Sequence, residues 1–237
     1  MQALLSLEQA PPISAPLRFF VTAPMFAVLA GCLMLWSGPA LFESRWTPAA
    51  LAVTHLMTLG FMLQCMLGAL QQLLPVVAGA NFRHPLLLAS VVHITLSVGT
   101  LFLVAAFLLQ QPALFSVAAV FLVIALFVFI LAASHALWGA SGTSPVIRGL
   151  RLALSGLAVT VSLGLLLALS LAGLLAVPLV SMTNIHLGLG ICCLGLRAFG
   201  RGRVDRGTHV PADSRLSSLV RPLLFVEHTG DIHFYGP

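Results

Sequence analysis

Residues 114–138 read LFSVAAVFLVIALFVFILAASHALW. The stretch holds no Asp, Glu, Lys or Arg. As an α-helix rising 1.5 Å per residue it spans about 37 Å, more than the roughly 30 Å of bilayer hydrocarbon. In water a helix that is apolar all round has nowhere to place its outer face. In lipid it has no such face to hide.

The rest of the chain is of the same kind. Hydrophobic residues make up 59% and charged residues 7%, and the mean hydropathy is +1.08. A soluble domain carries roughly 25% charged residues, because its surface has to be polar. Between Glu43 and Asp205 there is no acidic residue, and the basic ones are Arg45, Arg83, Arg148, Arg151, Arg197, Arg201 and Arg203. They fall between apolar runs or after the last. The basic balance (pI about 9.9) therefore belongs to membrane boundaries and to the tail, which excludes nucleic acid as the expected partner. Cys32, Cys65, Cys192 and Cys193 all lie in apolar runs, unlike the disulfide framework of a small secreted domain.

Working outward from residues 114–138, the runs predict an all-α polytopic transmembrane bundle of about six spans. They cover about Phe19–Trp36, Ala49–Val77, Leu86–Leu109, Leu114–Trp138, Leu150–Leu171 and Leu179–Leu196. The second is long and predicts a tilt or a kink at Pro75. Trp36, Trp46 and Trp138 stand at predicted helix ends, where interfacial aromatics belong. Arg18, Arg83, Arg148, Arg151 and the tail arginines fall on one side and Arg45 alone on the other, which predicts both termini in the cytoplasm. Three parts follow: an N-terminal cytoplasmic segment (1–18), a six-helix transmembrane domain (19–197) and an Arg-rich tail (198–237) expected to be poorly ordered. Met1–Pro16 lacks the basic start of a cleaved signal peptide, so the first helix is expected to stay as an anchor.

With no carboxylate in the spans, histidine is the remaining chemistry. His55, His93, His135 and His186 lie in the second, third, fourth and sixth predicted helices. An ionisable side chain inside a membrane is a functional hypothesis by default. Alternating helix direction sorts the four into two pairs, His55 with His186 toward one leaflet and His93 with His135 toward the other. Neutral imidazole is a common ligand of haem iron and copper. Two such pairs fit two bis-histidine haems stacked across the membrane. The alternative is an imidazole bonded to a neighbouring helix. Gly60 and Gly68 flank the first site in sequence, and glycine admits either a flat macrocycle or a neighbouring backbone. Gln64, Gln71 and Gln72 add polar groups at membrane depth.

Residues 54–75, THLMTLGFMLQCMLGALQQLLP, carry the specific pattern. With His55, Leu59, Gly60, Phe61, Gly68 and Pro75 they resemble membrane proteins related to haem-copper oxidase subunit I, including NnrS-like haem proteins. NIHLGLG at 184–190, with His186, is a weaker match. The resemblance implies a bacterial inner-membrane protein of respiratory or nitrogen-oxide metabolism that binds haem b, with copper as the alternative. It also implies electron transfer, with a quinol, a cytochrome or a larger oxidase assembly as partner. The chain has no adjacent His-His pair, no His-x-x-x-Tyr and no His-x-His. The resemblance therefore points to an electron-transfer or cofactor-binding subunit and not to a complete oxygen-reducing enzyme. Rival expectations are a cofactor-free transporter or assembly scaffold, or a nonfunctional truncated fragment of a longer haem protein. The last follows from the tail: residues 208–217, THVPADSRLS, can be back-translated so that a one-base shift gives PMFQLTPVYP. That string looks like the segment after this helix in longer relatives, so the chain after about residue 190 reads either as a tail or as out of frame.

Overall fold

The computed structural model describes residues 11–139, 145–175 and 186. Among the described residues all regular structure is helical. Helix α1 covers Ser14–Ser37 and is followed by a 3₁₀ turn, Gly38–Phe42. Helix α2 (Pro48–His55), a π-helical segment (Leu56–Leu63) and α3 (Gln64–Ala78) follow one another without a break and form one rod. Helices α4 (Pro85–Leu109), α5 (Pro112–Gly139) and α6 (Pro145–Leu171) complete the described fold. Five of these units are long and apolar enough to cross a membrane. The chain is thus a multi-pass membrane protein, all-helical among the described residues. The expected sixth span and the tail lie outside the described residues, apart from His186.

Most boundaries follow local chemistry. Pro48, Pro85 and Pro112 stand at first-turn positions, where a missing N–H costs nothing. Gly79 ends α3 with a left-handed backbone (φ 62°), and its N–H and that of Ala80 take up carbonyls of the last turn. Gln110 ends α4 in the same left-handed region (φ 53°). The first helix begins at Ser14, inside the segment expected to precede it. Trp36 and Trp138 are largely exposed at helix ends, and Arg45 stacks on Trp46 at 4.8 Å. Arg151 of α6 donates to the Leu137 carbonyl in the last turn of α5, pinning the two helices at their shared end. Thr47 caps α2, its hydroxyl oxygen accepting from the Ala50 N–H at 3.2 Å. Thr47→Ala should lower stability by about 1 kcal/mol, the usual cost of an N-cap, in detergent unfolding.

The second span is expected to tilt or to kink at Pro75, and the helical assignment runs through that residue to Ala78. The irregularity sits a few turns earlier, in the π segment. Just before it and in its first turn, the Thr54 hydroxyl donates to the Ala50 carbonyl, His55 Nδ1 to Leu51 and the Thr58 hydroxyl to Thr54. Side chains that bond back four residues compete with the helix's own ladder and loosen it. Short π segments are frequent at functional sites.

Packing divides into two clusters. One joins α1, α3, α4 and α5 through Ala15, Phe19, Leu67, Leu74, Ala89, Val92 and Phe129, with α6 residues Leu150, Leu154 and Leu157 against it. The other lies toward the opposite end and joins α1, α2, α4 and α5 through Phe26, Leu56, Leu103, Phe107 and Phe115. Gly99 faces Leu122, which fixes the antiparallel register of α4 on α5.

Candidate functional site

His55 ends α2 where the π segment begins. Its Nδ1 lies 2.7 Å from the Leu51 carbonyl. A carbonyl only accepts, so Nδ1 carries the proton and Nε2 keeps its lone pair. That is the tautomer of a metal-binding histidine oriented by a backbone carbonyl. The ring packs on Phe107 of α4 at 5.0 Å between centroids, and Phe107 is in turn held edge-on by Phe115 of α5. The imidazole is therefore fixed in direction from both sides.

His186 is half-buried against Gly164 of α6, where an added Cβ would meet its Cε1 at 3.0 Å. It hydrogen-bonds the Thr160 backbone, and its Nδ1 is buried without a hydrogen-bond partner. His55 and His186 lie close enough for a charge on one to act on the other. Each also retains a nitrogen lone pair free of protein donors, His55 at Nε2 and His186 at Nδ1.

The second expected pair is not assembled in this way. His93 turns toward α1, where its Nε2 lies 2.8 Å from the Thr22 hydroxyl and its ring meets Phe19 edge-on at 5.3 Å. The Thr22 hydroxyl already donates to the Arg18 carbonyl, so it accepts from His93 Nε2–H. His135 is exposed on α5. With Gly99 opposite Leu122, His135 falls about seven residues, or roughly 10 Å, from the level of His93 along the helices. The physical reason is helix rotation: the residues share a leaflet but point to different neighbours.

Gly60 and Gly68 are packing positions against α1. A Cβ at Gly60 would stand 2.5 Å from the Phe26 ring, and one at Gly68 would stand 3.1 Å from Phe19 Cβ. Phe26 and Phe19 fill the space that a macrocycle face would need. Gln64 donates from Nε2 to the Ser97 hydroxyl of α4 at 2.9 Å. Gln64 Oε1, both amide atoms of Gln71 and Gln72 Oε1 are buried without a partner. Cys32 and Cys65 are free thiols. Among the described residues no group of three or more His, Cys, Asp or Glu side chains is placed to hold a metal ion.

Sequence reasoning missed the partners. Leu51, Phe107 and Gly164 carry no chemical signal of their own. Thr22 and Arg18 were legible in principle, since Ser14, Arg18 and Thr22 repeat every four residues along an otherwise apolar helix. Compared with known proteins, the chain matches no family model, no curated protein and no solved structure.

Proposed function

We propose that the protein is a membrane-embedded electron-transfer subunit that holds one haem b between His55 and His186. It would sit in a bacterial inner membrane with both termini in the cytoplasm and exchange electrons with a quinol, a cytochrome or a larger oxidase assembly. The observation that carries the reading is His55 itself. Its Nδ1–H is committed to Leu51 and its ring is clamped by Phe107, so a bare Nε2 is presented near a second imidazole that also has a bare nitrogen. Two neutral imidazoles suit a haem iron, and copper is the alternative. An iron held on both faces has no open position, so the bound group would pass electrons and not activate a substrate. The part of this chain is to orient two rings and keep water from them.

A cofactor-free transporter or scaffold is the second reading, and two observations favour it. Both glycines near His55 are filled by α1, and His93 is satisfied by Thr22.

The deciding experiment is an oxidised-minus-reduced absorption spectrum of the full chain, purified in detergent after expression with haem supplied. A Soret band with b-type α and β bands is the expected result. A colourless protein that is folded and free of copper would eliminate the redox reading and leave the cofactor-free one.

A further inference from the structure

Three helices turn polar residues toward one another in a chain that has few. On α1 they are Ser14, Arg18 and Thr22, spaced i, i+4, i+8. On α4 they are Ser90, His93, Ser97 and Thr100, whose spacing of three, four and three keeps them on one helix face. On α3 they are Gln64, Gln71 and Gln72, with Gln64 and Gln71 almost wholly buried two turns apart.

Hydrogen bonds between the helices confirm that the rows face each other. Arg18 Nη1 donates to the Ser90 hydroxyl at 2.6 Å, Thr22 accepts from His93, and Gln64 donates to Ser97. The buried row of α3 continues through Leu67 and Leu74. Both belong to the cluster with Ala15 and Phe19 of α1 and Val92 of α4. Gln71 sits between them on that row.

Two features give the seam a direction. It starts at Arg18 and Ser90, which are partly exposed at one end of the bundle. Ser97 lies about 18 Å along α4 from Pro85, past the middle of a 30 Å hydrocarbon layer. Beyond Thr100 the polar row stops. Leu103, Val104, Phe107, Phe26 and Leu56 close the path with an apolar cluster, and His55 lies on the far side against Phe107. The seam is therefore open at one end and blocked at the other.

Within it, four polar atoms have no protein partner: Gln64 Oε1, Gln71 Oε1, Gln71 Nε2 and Gln72 Oε1. Each such atom in an apolar interior carries a desolvation cost. Natural proteins relieve that cost by hydrating such groups. Three acceptors and one donor with two hydrogens are what a file of water molecules needs along its wall.

We propose that α1, α3 and α4 enclose a hydrated half-channel, open at the Arg18 end, that brings water and water-borne protons as far as His93 and the Gln64–Ser97 pair. Arg18 at the mouth, with no carboxylate beside it among the described residues, sets a positive field that disfavours metal cations and admits water. The half-channel needs no cofactor at His55 and stands apart from that assignment.

The test uses the full chain in membrane vesicles of both orientations, with Cys32, Cys65, Cys192 and Cys193 replaced by alanine. Single cysteines are introduced as Ser90→Cys, Ser97→Cys and Leu96→Cys, and each is treated with a small anionic, membrane-impermeant thiosulfonate. Thiol reactivity follows access to water and the thiolate form, so Ser97→Cys should react roughly tenfold or more faster than the neighbouring Leu96→Cys. It should do so only from the Arg18 face, with Ser90→Cys faster still. Adding Gln71→Leu to Ser97→Cys should slow the reaction by a similar factor. Serine to cysteine changes one atom, and Thr100→Cys supplies the same reading if Ser97→Cys does not accumulate. Equal rates at positions 96 and 97, labelling from the opposite face or from both, or no effect of Gln71→Leu would each overturn the half-channel.

Discussion

His55→Ala should empty the protein of haem, and His135→Ala should leave its haem content unchanged. The contrast follows from where the structure places the two rings. His55 is held by a backbone carbonyl and an aromatic face near His186, whereas His135 is exposed on the outside of α5. Loss of an outer-shell partner costs a metal site roughly 10- to 100-fold in affinity, and loss of the ligand itself costs more. Haem per polypeptide in His55→Ala should therefore fall by at least about that factor, and His186→Ala should match it. A packing role alone predicts a different pattern, with lower stability and no absorption to lose. Free imidazole separates the two further. Supplied to His55→Ala, it should return part of the Soret band, because the truncated side chain leaves room for the same ligand atom. If His55→Ala keeps its full haem content, the ligand assignment fails. If His135→Ala loses as much as His55→Ala, the second site that the sequence pattern favoured would be real and the observed exposure of His135 irrelevant to it.

The membrane architecture was legible because it rests on composition alone. A run such as 114–138 has one stable environment, and the prolines at 48, 85 and 112 mark helix starts whatever surrounds them. The depth of each histidine is legible for a related reason: it follows from residue number and helix direction. Rotation about each helix axis does not. His93 and His135 share a leaflet by counting, yet one turns to Thr22 and the other faces outward. That choice is made by side-chain packing between helices, which no single run encodes. The π segment was hidden for the same reason. What surrounds it is the back-bonding of Thr54, His55 and Thr58 and the ring of Phe26 from another helix. Glycine at 60 admits either a macrocycle or a neighbouring helix, and the structure gives that room to α1.

Gly60→Ala should be among the most damaging single-methyl additions in the bundle. An alanine Cβ there would stand 2.5 Å from Phe26 Cγ and Cδ1 and 2.7 Å from Phe26 Cβ. Turning the ring relieves the first two contacts but not the third, since Cβ moves only with the α1 backbone. The helices must separate, and overpacking of this kind costs roughly 1–3 kcal/mol. Gly31 on α1 makes the matched control, because a Cβ there meets nothing within 4 Å. Gly31→Ala should stabilise by up to about 1 kcal/mol through helix propensity alone, so the same substitution has opposite signs at the two sites. Phe26→Ala in the Gly60→Ala background should restore part of the loss. The double variant should be less destabilised than the sum of the singles by roughly 0.5–3 kcal/mol, the coupling expected of groups in contact. Unfolding in mixed micelles measures the four variants and the parent. Equal midpoints for Gly60→Ala and the parent would mean that α1 does not approach the π segment as closely as the structure has it. The consequence reaches the site, because the π segment begins at the residue after His55. If α1 is pushed away, the segment can relax toward a regular helix and turn the His55 ring off Phe107. Gly60→Ala should then weaken haem retention as well as stability, whereas Gly31→Ala should change neither adversely.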